Sequence, residues 1–169
     1  MRSIPDPGFP GDDGSAPPAL MTALAAYDEA PEAEESTRYR EALAVLQDAR
    51  VLVPVVAVLG EVEHDDKGLA HDKSSDLASV LMTGRDGRTA LLAFTGNPSL
   101  TGWNPEARPV PVPARQAAQA ALQDGATALL VDVAGPVLFV VEGEDLTALA
   151  AGRLLVRLDD GHWGWAGAR

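Results

Sequence analysis

The chain has no cysteine, so disulfides, thiolate nucleophiles, Cys-ligated zinc and iron–sulfur clusters are all excluded. Basic residues are also scarce: 13 Lys and Arg stand against 25 Asp and Glu, a formal charge of −12. Those cations are scattered singly along the chain, so no basic patch faces a phosphate backbone and nucleic acid is not expected as a partner. Nor is there a long apolar run. The longest, VLVPVVAVL, is interrupted by Pro54 and falls well short of the ~20 residues that cross a bilayer. The start, MRSIPDPGFPGDDG, is acidic and rich in breakers, unlike an export signal. A cytoplasmic protein that binds no membrane is the expectation.

What is present fits one domain of 169 residues, 46% of them hydrophobic. The acidity is uneven. Residues 1–35 hold eight acids and one Arg, a charge of −7, leaving −5 for the rest. Six of the 13 prolines fall in the same stretch, so a disordered leader is expected there. Within it, Leu20, Leu24 and Tyr27 share one face of a short helix, which needs a surface to dock on and otherwise remains a weakly helical tail.

From Ser36 the signals are those of a folded domain. STRYREALAVLQDAR carries an apolar stripe of helical period, with Ser36 or Thr37 as its cap. The following VLVPVVAVL is apolar on both parities and reads as a strand buried on both faces, unpaired or bulged on one side at Pro54. Residues 60–76 read as a polar excursion. Next come a hairpin turning at Asp86-Gly87, an extended segment with Pro109, Pro111 and Pro113, and a helix with Ala114, Ala117, Ala118 and Ala121 on one side. Two strands around Gly135-Pro136, a short helix at 143–151 and a terminal strand pair complete the pattern.

Chemistry is sparse. His64, Asp65, Asp66, His71 and Asp72 lie on the polar excursion, where solvated charge is a simpler account than a metal site. No Ser stands on a Gly-framed elbow beside a His and an acid, so nucleophilic catalysis is unsupported. Asp132 interrupts the apolar run LLVDVAG and must be paired, hydrogen-bonded or functional; the simplest account is a strand end accepting donors at the Gly135-Pro136 turn. In FTGNPSLTGWNP, Asn97 and Pro98 start a helical turn that aims Leu100 and Trp103 back at the domain. Trp103 is then a lid over the core, or else Thr95, Trp103 and Arg108 line a groove at the strand ends.

Taken in order, ARVLVPVVAVLGE, a polar loop ending DKSSDLA, DGRTALLAFTG, a Trp before PEARPVPV, an alanine-rich helix and LLVDVAGPVLFVV resemble the SseB family of bacterial proteins, particularly its actinobacterial members. The resemblance covers residues 36–152. It departs at Gly96, where many relatives have Ser. Positions matching the shared pattern include Lys73, Asp86, Gly87, Arg88, Phe94, Thr95, Trp103, Arg108, Pro109, Asp132, Gly135 and Pro136. The family is named for a phenotype, enhanced serine sensitivity, and the resemblance implies no catalytic residues and no cofactor.

The expected architecture is an α/β sandwich, a mixed sheet of five or more strands flanked by about three helices. Residues 1–35 are its leader, 36–152 the domain and 153–169 an extension with a hairpin. Two functions remain open. The favoured one is a non-catalytic module that contacts a protein partner through residues 103–113, with residues 20–27 competing for the same groove. The alternative is an amino acid or nucleotide site, sensing or enzymatic, built from Lys73, Thr95, Arg108 and Asp132.

Overall fold

The computed structural model describes residues 9–57 and 77–168. Two helices come first, α1 (Pro18–Asp28) and α2 (Glu32–Leu46). Residues 18–28 and 32–35, expected to belong to a disordered leader, are therefore helical instead. Leu20 and Leu24 of α1 are 0% and 1% exposed, and Tyr27 sets its ring edge-on to Phe139, with centroids 5.3 Å apart. Composition misled because the breakers stand where they do no harm. Pro18 opens α1 and Pro31 precedes α2, positions whose missing N–H has no helical partner anyway. Glu32, Glu34 and Glu35 lie in the first turn of α2, at the positive end of its dipole. Ser36 and Thr37 are thus inside the helix and do not cap it.

Strand β1 (Arg50–Ala57) follows, then β2 (Leu77–Ser79), β3 (Leu81–Thr83) and β4 (Thr89–Ala93). Helix α3 (Asn97–Trp103) leads to β5 (Arg108–Pro113) and α4 (Ala114–Gln123). After these come β6 (Ala128–Val131), β7 (Phe139–Glu142), α5 (Gly143–Ala150), and the hairpin β8 (Arg153–Arg157) and β9 (Trp163–Ala168). The mixed α/β class holds, with five helices among the described residues. The strands form sheets ordered β2-β1-β5 and β3-β4-β6-β7, with β8-β9 separate. A reciprocal bridge joins the two larger sheets: Leu52 N–H donates to Phe94 O at 2.7 Å and Phe94 N–H returns to Leu52 O at 2.8 Å.

Pro54 explains the split. Leu52 faces β4 with both its backbone groups, so Pro54, two residues on, faces the same side without a donor. On that side the neighbour changes from Phe94, opposite Leu52, to β2, which pairs from Val55 to Ala57. Across the other side β5 pairs without interruption from Arg50 to Val55. By the same parity Arg108, Val110 and Val112 face β1, while Pro109, Pro111 and Pro113 point their backbones outward.

Strand β4 is buried on both faces, and its parities supply two cores. Leu91 and Ala93 join Leu129, Val131, Phe139 and Val141 against α1, α2, α4 and α5. Leu92 and Phe94 pack with Leu52, Leu100 and Ala107 on the opposite face. The alanine face of α4, Ala114, Ala117, Ala118 and Ala121, is fully buried. The hairpin β8-β9 is tied to α2 by Gln47, whose amide donates to Leu155 O at 3.0 Å and accepts from Leu155 N–H at 2.8 Å, as a neighbouring strand would.

Candidate functional site

Two of the polar residues singled out by sequence, Thr95 and Asp132, meet at one end of the fold. Strands β4 and β6 run parallel in register, Ala90 opposite Ala128 through Ala93 opposite Val131. Their carboxyl ends place Thr95 and Asp132 side by side. Asp132 accepts from Thr95 N–H at 2.8 Å through Oδ1 and from the Thr95 hydroxyl at 2.7 Å through Oδ2. Both residues are buried, Asp132 at 0% and Thr95 at 1% exposure. Burial pushes the Asp132 carboxyl above its ordinary range, and the donors of Thr95 and Ser99 pull it partly back. Asp132 also holds φ at 54°, in the left-handed region that Asp tolerates better than most residues. The donors expected from the Gly135-Pro136 turn are not its partners. Only the Asp132 carbonyl serves that turn, accepting from Gly135 N–H at 2.9 Å.

Arg50 completes the cluster, and sequence reasoning missed it. Its Nη1 donates to Thr95 O at 2.7 Å, and its Nη2 reaches Ser15 O at 2.7 Å and Asp12 Oδ1 at 2.8 Å. Nε pairs with the other Asp12 oxygen. The Arg50 side chain is only 9% exposed. Its available signal was a lone cation at the start of a strand apolar on both faces. The guanidinium beside Asp12 holds that carboxyl below its ordinary value.

Residues 12–16 thus lie as a strap across the turn after β4. Gly14 O accepts from Asn97 N–H at 2.8 Å. A Cβ on Gly14 would stand 1.8 Å from Asn97 Nδ2, and one on Gly96 would stand 2.7 Å from Ala16 N. The Ser that the resemblance gives for many relatives at position 96 has no room here.

The other candidates are placed apart. Trp103 ends α3 half-buried, its ring 5.5 Å from that of Phe94, which is the lid geometry. Arg108 is exposed at the start of β5 and makes no ion pair with the rest among the described residues. Lys73 and the residues 64–72 weighed as metal ligands lie outside the described residues. Among the described residues no group of three His, Cys, Asp or Glu could hold a metal, and no helix is long and apolar enough to cross a membrane. His162 is exposed in the C-terminal hairpin, 3.3 Å from Asp160.

These parts define a mixed α/β domain whose polar cluster staples strand ends beneath a peptide strap, with no nucleophile, base and acid brought together among the described residues. The chain belongs to the SseB family: residues 20–158 match the SseB protein N-terminal domain, a span that begins within α1. No curated protein and no solved structure matches it.

Proposed function

We propose that the protein is a non-catalytic binding module that meets a partner protein along the surface from Trp103 through β5, reading it with side chains. The supporting observation is the chemistry of that edge. Pro109, Pro111 and Pro113 turn only carbonyls outward, so a partner strand cannot form a two-way ladder there. Recognition falls instead to the exposed Arg108 and to Val110, 38% exposed. Val110, with Val53, Val55 and Val112, faces α4 across an open groove of about 370 Å³. Capture from a lysate of the source organism tests this. The full chain should retain a specific protein that Val110→Glu loses, at a stability change within about 0.5 kcal/mol because the site is exposed. Equal recovery by both chains would count against the reading.

A small-metabolite site is the second reading. Thr95 and Asp132 stand at the carboxyl ends of adjacent parallel strands, where open α/β sheets receive ligands. A ligand there would have to break a buried pair already satisfied on both oxygens.

A further inference from the structure

The strap is held differently from the helix it precedes. Leu20 and Leu24 anchor α1 in the main core, yet no residue of 12–16 belongs to either core cluster. The strap's bonds to the rest of the fold are polar: the Arg50 fork on Asp12, the Arg50 bond to Ser15 O, and the Asn97 bond to Gly14 O, with the backbone of Gly14 and Ala16 packed on Gly96. Side-chain turns at Asp12 to Gly14 and Asp13 to Ser15 shape it locally. Segments held this way belong to the part of a fold that opens first.

The seat beneath does not depend on the strap. Arg50 is fixed by its place in β1 and by Thr95 O, and Thr95 is fixed by Asp132. With the strap lifted, the seat offers the Nε–Nη2 edge of the Arg50 guanidinium and a second Nη2 N–H, one main-chain donor at Asn97 and bare backbone at Gly96. That set reads a carboxylate, the peptide carbonyls two and three residues further on, and a backbone that approaches without a side chain between.

We propose that this seat is a binding site for an acidic, glycine-containing peptide of a partner protein, and that residues 12–16 are its intramolecular occupant, an autoinhibitory strap. The site is separate from the β5 surface and does not require it. Pro17 and Pro18 follow the strap directly and α1 is docked, so the strap is presented at high effective concentration and an outside peptide must outcompete it.

Two glycines allow the test in the full-length chain. Gly14→Val lifts the strap, because its side chain would enter the position of Asn97 and needs a positive φ. Gly96→Ser blocks the seat, at a φ of −162° that any residue adopts. The probe is a fluorescent peptide with the sequence of residues 11–17, GDDGSAP. Gly14→Val should bind it at least about tenfold more tightly than the natural chain, and the gain should vanish in Gly14→Val/Gly96→Ser and with a peptide carrying Asn in place of the first Asp. Equal affinity for all chains, or no binding to Gly14→Val, would overturn the proposal. Amide exchange is the second readout, needing no peptide. Asp12→Asn should speed exchange at Asn97 by about tenfold or more while Leu92, in the sheet, is unchanged. Exchange at Asn97 only through global unfolding in both chains would make the strap a fixed part of the fold and sink the idea.

Discussion

Asp132 combines a buried carboxyl, a left-handed backbone and two hydrogen bonds to a single neighbour. Asp132→Ala leaves the Thr95 N–H and hydroxyl unpaired in the interior and should cost about 3 kcal/mol. Asp132→Asn keeps the shape and one acceptor and should lose much less. Its pH dependence has a definite sign. The folded carboxyl titrates above the ordinary value of 3.8, so its contribution to stability is complete below that value and is lost as pH rises through the folded pKa. Melting temperatures of Asp132→Asn measured against the natural chain should therefore shift in the variant's favour as pH climbs through that window. A constant difference would remove burial as the dominant influence. Sequence alone could single out Thr95 and Asp132, each conspicuous by its apolar neighbours. It could not pair them, since 37 positions separate them and only the parallel register of β4 and β6 brings them together. Arg50 went unnoticed for the same reason: its partners lie 38 and 45 positions away.

Among the elements, local signals carried the reading where one segment decides its own structure. The β3-β4 hairpin turns at Asp86-Gly87 with Gly87 at φ 82°, and α4 buries the four alanines its spacing set on one face. Helix α1 was legible as a face and misjudged as a tail, because averaging prolines and acids over 35 residues hides that Pro17, Pro18 and Pro31 sit at helix starts and Glu32, Glu34 and Glu35 in a first turn. Leu24→Ala should cost about 3 kcal/mol, the range for a leucine removed from a packed core. A change near zero by denaturant titration would return α1 to the disordered leader. The break at Pro54 could be foreseen from its missing donor, but not the exchange of β4 for β2 on that side. Edge β5 makes its own prediction. Pro109→Thr with Pro111→Thr restores outward donors to an exposed strand, so the double variant should associate with rising concentration in light scattering. A double variant with the same mass dependence as the natural chain would show that the prolines do not guard the edge.

At the scale of the molecule, an outer strand of each of the two larger sheets carries a feature that hinders strand addition. Prolines guard β5, and Tyr39 of α2 donates its hydroxyl to Val140 O of β7 at 3.0 Å. What remains for contact is side-chain surface: the valine groove by α4, Trp103 on α3, and the strap over Arg50. The order of elements made the α/β class and the SseB family readable from sequence, because strands, turns and helices each leave a local periodicity. Binding surface leaves none, since an exposed Arg108 or Val110 satisfies the fold as well as many other residues would. The account's central claim is that this surface meets a protein and that the Thr95–Asp132 pair is structural. Its most direct measurement is a thermal-shift series on the full chain with amino acids, serine included, and nucleotides. A ligand bound only to the native state at a hundredfold excess over its Kd adds about 2.7 kcal/mol, which moves Tm by several degrees. The account predicts no shift with any of them. A saturable rise with one of them, abolished by Asp132→Asn, would contradict it.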